Sequence, residues 1–361
     1  MPGWRTLPSK GPGRLKRPGA RRLLATAAAA GVLGCVGWLA AGVWGDLARA
    51  GSAAVRALWT VPAALAVHLV QLLLSALGWR VLVVRPPLGL AGFFRLRLLR
   101  EGLNTLLPLA HVGGEVVAAQ VMTRAGIPAA VAVAGMVVDL TVEVGAQLAF
   151  LAAGCGLLAV LAGAGAAWLW CGSLGVAALA AGSLALAQRF GGLRLVEAVV
   201  RGVGRQWPSL GPGLAAGGLD GLEAAALAIY RRPRRLVLAF CLQGAAWALG
   251  TGETWLVLQA LGVNASPGQA FVVESLGMAA RSAGFVVPGA LAIQEGGFVL
   301  AAAAVGLPGV AALSLSLVKR VRELLIGLAG LVCWRLARAA GVGRAAAELA
   351  RAGTAAGDRD G

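Results

Sequence analysis

The sequence predicts an all-α polytopic membrane protein with an inverted internal repeat. About six full spans and two re-entrant helical hairpins are expected, or eight spans in the alternative count. Three observations predict this. The 361 residues are 59% hydrophobic and only 13% charged, with a mean hydropathy of +0.81, whereas about a quarter of the residues in an ordinary soluble domain are charged. Apolar runs long enough to cross about 30 Å of hydrocarbon recur from end to end. Two of these runs are interrupted by charges, a proline and a Gly-Gly pair, and the two interrupted runs resemble each other.

The formal net charge of +17 raises the question of nucleic acid. Here the Lys and Arg sit mostly in tails and loops flanking apolar segments, which is the distribution that orients a membrane protein. No nucleic-acid partner is therefore expected. Cys35, Cys155, Cys171, Cys241 and Cys333 all fall in apolar segments without C-x-x-C spacing, so they read as small buried hydrophobes. His68 and His111 are too few for an imidazole cluster. No metal or cofactor is expected.

Along the chain, residues 1–22 carry seven Lys/Arg, four prolines and no acid, and read as a disordered cytoplasmic tail. A first span follows at about 23–44; it is too long for the core of a cleaved signal peptide, usually about 7–15 residues. A loop with Asp46, Arg49 and Arg56 leads to a second span at about 57–79, closed by Arg80, Arg85 and Pro86-Pro87. The first interrupted segment, 88–124, is read as a hairpin that dips into the membrane and returns. Spans at about 127–151 and 166–187 come next. Residues 188–235 form the one large polar loop, in which 193–201 has the spacing of an amphipathic helix, either lying on the inner leaflet or solvated. A span at about 236–260, a second hairpin at 269–307, a last span at about 309–335 and a basic tail at 336–361 complete the chain. The basic loops all fall on one side if spans alternate, so both termini are expected in the cytoplasm, with the protein multi-pass in a bacterial inner membrane.

The repeat divides the bundle into 23–163 and 166–335. Pro108 and Glu115 match Pro288 and Glu295; Gly126 and Pro128 match Gly306 and Pro308; Glu143 matches Glu323, each 180 positions later. Asp139 meets Lys319, a reversal of charge at one position. Since the hairpins enter from opposite sides, the repeat is inverted, a plan that transporters use to place a site near the midplane.

The intramembrane charges are the candidate site. Asp139 and Glu143 share one helical face, as do Lys319 and Glu323, with Arg320 and Arg322 beside them. A charge at mid-bilayer costs about 2.5–3.5 kcal/mol on insertion scales, so these groups must pair or face water. Asp139 and Glu143 are expected to meet Lys319, Arg320 or Arg322 across the repeat axis, either as a static lock or as part of a substrate or proton path. The bends at Pro108, Gly113, Gly114, Pro288, Gly296 and Gly297 bring backbone close to Glu115 and Glu295. Arg100, Glu101, Asn104, Glu115, Arg281 and Glu295 are the candidate headgroup-binding residues, the arginines through bidentate contacts to phosphate or carboxylate.

Three motifs carry a family resemblance: R-E-x-x-N-x-x-x-P-x-x-x-x-G-G-E at 100–115, D-x-x-x-E at 139–143, and P-x-x-x-x-x-Q-E-G at 288–296. Their order and spacing resemble the transmembrane region of lysylphosphatidylglycerol synthases, a flippase-like family. Within it the chain is most similar to the hopanoid-biosynthesis-associated members. The resemblance covers about 23–338 and implies movement of a lipid between leaflets. The implied partner is a hopanoid or an anionic or aminoacyl phospholipid, with hopanoid-biosynthesis enzymes as further partners. The acyltransferase-like domain that follows the bundle in full synthases is not expected after the last span, so lipid aminoacylation is not expected either. A membrane-embedded enzyme using Glu115 or Glu295, and a non-transporting scaffold acting through 188–235, are the alternatives.

Overall fold

The computed structural model describes residues 48–83, 88–106, 113–162, 221–283 and 291–357, the side chains of the last helix to residue 336. Contacts divide the chain into Met1–Arg49 and Ala50–Gly361; the packing below belongs to the second unit. The expected tail at 1–22, the spans at 23–44 and 166–187, the amphipathic stretch at 193–201, Pro108 and Pro288 lie outside the described residues.

Every regular element among the described residues is helical. Helix α1, Ala48–Leu82, carries a 3-10 turn at Leu58–Thr60 and then Pro62 at the head of its long segment, where a missing N–H costs little. Arg49 and Arg56, expected in a loop, lie within this helix. The apolar pattern continues through both, and long basic side chains tolerate a helical surface. Helices α2 (Leu90–Leu106) and α3 (Gly113–Arg124) are the arms of the first hairpin. Helix α4 is Ala129–Ala162 and α5 is Leu222–Tyr230. Helix α6, Pro233–Ala260, again starts on proline. Helices α7 (Pro267–Ala283) and α8 (Leu291–Ala304) are the arms of the second hairpin. Helix α9 runs Gly309–Gly357, so helix continues through most of the stretch expected as a tail.

Local chemistry sets these ends. Ser266 and Gln269 form a reciprocal capping box at the start of α7: the Gln269 N–H donates to Ser266 Oγ at 3.2 Å, and the Ser266 N–H donates to Gln269 Oε1 at 2.9 Å. Helices α3 and α8 end in the same way. Gly126 at φ 92° and Gly306 at φ 74° turn the chain in the left-handed region. The next residues, Ile127 and Leu307, donate back to Met122 O and Ala302 O at 3.2 and 2.9 Å. Proline follows each turn and α4 or α9 begins, so α3–turn–α4 and α8–turn–α9 coincide at the 180-residue spacing.

Three helices among the described residues are long and apolar enough to cross a membrane: α1, α4 and α6. Helix α9, expected as a full span at 309–335, has the length and carries Lys319, Arg320, Arg322 and Glu323 within it.

Helices α1 and α6 pack antiparallel. Arg235 reaches Val81 O at 3.3 Å, Ser75 donates to Gln243 Oε1 at 2.7 Å, and Gln71 donates to Ala246 O at 2.8 Å; the positions rise in one helix as they fall in the other. Each hairpin also lies against the long helix of the opposite half. On α2 and α9, Gly102 faces Gly327 and Gly330 so closely that a Cβ at Gly102 would stand 2.7 Å from Gly330 Cα. On α4 and α7, Gly154 faces Ser275, and Gln147 Nε2 donates to Ser282 Oγ at 2.5 Å. Of the four apolar clusters among the described residues, two are large. One gathers Trp79, Phe93, Leu103, Met122 and Val138 with α5; the other gathers Val61, Leu258, Val273, Phe298 and Leu315. Helices α1 and α6 contribute to both clusters, running between them in opposite directions.

Candidate functional site

Among the described residues, two ion-pair networks are buried in the bundle, one on α2–α4 and one on α6–α9. The first hangs on α2, where Arg97 and Arg100 are three residues apart and share a face. Arg97 donates through Nη1 to Asp139 Oδ2 at 2.8 Å, and its Nη2 pairs with Glu143 Oε2 at 2.8 Å. Arg100 contacts three carboxylates: Nε to Glu115 at 2.8 Å, Nη1 to Asp139 at 3.2 Å and Nη2 to Glu143 at 3.1 Å. The second oxygen of Asp139 accepts from Gln243 Nε2 at 3.3 Å. Glu115 also accepts from Asn104 Nδ2 at 3.2 Å, while the Gly114 N–H donates to Asn104 Oδ1 at 3.0 Å. Glu115 lies in the first turn of α3, where the helix dipole favours a carboxylate. Gly114 is required by space: a Cβ there would stand 2.5 Å from Asn104 Oδ1 and 2.6 Å from Arg100 O.

The second network joins α6, α7, α8 and α9. Lys319 Nζ pairs with Glu274 at 2.8 Å and lies 3.9 Å from Glu253. Arg322 pairs with Glu253, and Arg281 with Glu323. Arg320 pairs with Glu295 at 3.2 Å and Glu323 at 3.0 Å, and its Nη2 also donates to Gln294 Oε1 at 3.2 Å. Thr254 donates to Glu274 at 2.5 Å, and Ser316 donates to Glu295 at 3.3 Å. Gly250 lets this group close up, since a Cβ would meet Glu274 Oε1 at 2.7 Å. His68 on α1 lies within electrostatic reach of Arg322 and Glu253 and holds Gln71 Oε1 at 2.8 Å.

The expected pairing of Asp139 and Glu143 with Lys319, Arg320 or Arg322 is therefore overturned. Each half satisfies its own charges, because Arg97 and Arg100 present two guanidinium forks to the acid face of α4, and Glu253 and Glu274 meet the basic face of α9. The single intramembrane network expected from Asp139, Glu143, Lys319, Arg320, Arg322 and Glu323 is two networks. Glu101, half-buried on α2, lies within electrostatic reach of Arg281 on α7.

Of the expected hairpin glycines, Gly297 packs against Ala280, whereas Gly296 has open space where a Cβ would go. Arg97, Gln243, Glu253, Glu274, Gln294 and His68 were not singled out as site residues from the sequence. For Arg97 and Arg100 the three-residue spacing was the available signal; for Glu253 it was a lone acid inside an otherwise apolar span.

The networks differ in how completely they are satisfied. Among the described residues, buried polar atoms without a hydrogen-bond partner include Glu253 Oε1, Gln294 Nε2, Glu295 Oε2, Arg320 Nε and Arg322 Nε, all in the second network. None of the unpartnered atoms belongs to Arg97, Arg100, Asn104, Glu115, Asp139 or Glu143. Buried polar groups are ordinarily paired, and five of the eight unpartnered atoms among the described residues belong to the second network, the others being on Trp79, Gln120 and Thr251. Chemically, the first network is a closed clamp. The second offers donors and acceptors beside side chains of Arg320, Glu295 and Arg281 that are 27%, 21% and 24% exposed.

No curated protein and no solved structure matches the chain. The family model of the lysylphosphatidylglycerol synthase TM region matches residues 23–330. This is an integral membrane protein, and it belongs to the lysylphosphatidylglycerol synthase transmembrane-region family.

Proposed function

We propose that the protein moves a polar-headed lipid between the leaflets of a bacterial inner membrane, and that its two halves are inverted repeats. The observation that carries this is the antiparallel pairing of α1 with α6 combined with exchanged packing. The order α1–α2–α3–α4 returns as α6–α7–α8–α9, α2 lies on α9, and α7 lies on α4. Corresponding helices that run in opposite directions are what an inverted repeat requires, and in such folds the site lies where the broken helices of both halves meet. The charge networks supply polar groups on the broken helices of each half. Without them a headgroup crossing hydrocarbon would leave its own water unreplaced.

The resemblance to hopanoid-associated members supports a hopanoid or its polar-headed derivative as cargo, with anionic or aminoacyl phospholipids as the other candidates. Purified protein in liposomes holding a headgroup-labelled lipid provides the test. Accelerated leaflet exchange over protein-free liposomes, with the recovered lipid chemically unchanged, is expected. Exchange no faster than in protein-free liposomes overturns transport, and recovery of a converted lipid makes the protein an enzyme acting through Glu115 or Glu295. If neither occurs and deletion of 188–235 abolishes function in cells, the protein is a scaffold for biosynthetic enzymes.

A further inference from the structure

We propose that the second network is the headgroup subsite and that it selects a hydroxylated headgroup of no net charge; this rests on the lipid-handling reading above. The position follows from the unpartnered atoms. Gln294 is 1% exposed, and its Oε1 accepts from Arg320 Nη2 at 3.2 Å, but its Nε2 has no acceptor. Glu295 accepts from the same Nη2 through Oε1 at 3.2 Å, leaving Oε2 without a donor. Arg320 Nε, on the same guanidinium, has no acceptor. Two vacant donors and one vacant acceptor thus lie within one covalent group of a single nitrogen.

The ligand chemistry follows from the mixture. A hydroxyl both donates and accepts, so neighbouring hydroxyls satisfy Glu295 Oε2 with a proton and Gln294 Nε2 or Arg320 Nε with an oxygen. A phosphate supplies acceptors alone, and an ammonium supplies donors alone. Charge argues the same way. The paired network holds Arg281, Lys319, Arg320 and Arg322 against Glu253, Glu274, Glu295 and Glu323, so four cations already face four carboxylates. A net-charged headgroup entering there would leave one of these pairs uncompensated in a low-dielectric setting. The first network has no vacant atom among its six residues named above and acts as the fixed frame.

The test measures lipid-dependent thermal stabilisation of the detergent-solubilised full chain, alongside leaflet exchange in liposomes. The probes are monoglucosyl diacylglycerol (neutral, hydroxylated), phosphatidylglycerol (hydroxylated, anionic) and phosphatidylethanolamine (zwitterionic amine). Methyl glucoside is added as the free polyol. The glucolipid is expected to stabilise at the lowest concentration, and Gln294→Met and Arg320→Lys are each expected to weaken that effect about tenfold, the scale of one lost hydrogen bond to a charged or buried group. Arg320→Lys keeps the cation for Glu295 and Glu323, so it remains informative if Gln294→Met fails to fold. Equal or stronger effects of phosphatidylglycerol or phosphatidylethanolamine, or unchanged glucolipid response in a folded variant, overturn the proposal. So does methyl glucoside acting as well as the lipid, which would make the ligand a soluble polyol. Exchange of lipids without headgroup preference overturns this inference alone; glucolipid preference without exchange overturns transport alone.

Discussion

Arg97 and Asp139 meet inside the first half of the bundle, with Nη1 to Oδ2 at 2.8 Å and both side chains almost completely buried. The partner of Asp139 is thus on the preceding hairpin and not on α9. Breaking a buried pair by removing one member costs about 3–5 kcal/mol, because the other charge is left without compensation. Asp139→Asn is expected to lower the melting temperature of the detergent-purified protein substantially. Arg97→Asp combined with Asp139→Arg should recover part of the loss of either single change. The Asp139→Lys, Lys319→Asp pair should recover nothing. Recovery in that second pair, measured by the same melts, would place the two networks in direct contact and overturn the assignment.

The close crossing of α2 and α9 depends on the absence of side chains at Gly102 and Gly330. A Cβ at Gly330 would stand 2.5 Å from Leu98 O, and the obstacle is backbone, which cannot rotate away. Overpacking a tight contact costs about 1–3 kcal/mol even where side chains can shift. Gly102→Leu and Gly330→Leu should each reach or exceed that range in unfolding measurements. Gly296→Ala, with open space around it, should stay within about 0.5 kcal/mol. A Gly330→Leu protein as stable as the parent would show that the helices do not cross there.

These two sets of residues also show what could be read from the chain and what could not. The helices on either side of Gly126 and Gly306, and the 180-residue spacing of those two turns, were legible, because glycine, proline and hydrophobic runs act locally. Pairing partners were not. Whether Arg97 faces Asp139 or solvent depends on the rotation of α2 about its axis, which packing against α1, α3 and α9 sets. The sequence also made Arg97 look like one more basic residue flanking a span. Glu253 and Glu274 were visible as acids in apolar runs, but only the meeting of α6, α7 and α9 turns them into the counter-charges of Arg322 and Lys319. The charges of α9 lie within a continuous 49-residue helix, and composition alone does not say which carboxylates face them.

The turns after α3 and α8 are expected to be energetically equivalent. Gly126 and Gly306 both hold positive φ with no neighbour within 4 Å of a built Cβ, so an alanine meets only the backbone penalty, about 1–2 kcal/mol for an L-residue in that region. Gly126→Ala and Gly306→Ala should destabilise by that amount each, and the double variant by their sum to within about 0.5 kcal/mol, since they lie in different hairpins. Chemical denaturation followed by tryptophan fluorescence reads all three. A negligible effect at one site with a full effect at the other would mean that the two turns do not correspond.

The direction of α1 relative to α6 yields the sharpest topological prediction. Arg80 near the end of α1, Arg232 just before α6, and Asn264 just after α6 are all exposed. Since Val81 contacts Arg235, the end of α1 and the start of α6 share one membrane face. Helix α6 is long enough to carry Asn264 to the other. In a cysteine-free background, Arg80→Cys and Arg232→Cys should react with an impermeant maleimide only after the membrane is opened to the cytoplasmic side, where arginine-rich flanks reside. Asn264→Cys should react in intact cells. Corresponding ends of α1 and α6 would then lie on opposite faces, which is the defining property of an inverted repeat. Labelling of Arg80→Cys and Asn264→Cys from the same side would make the two halves parallel copies. The two hairpins would then enter from a common face, and no midplane site could be shared between them.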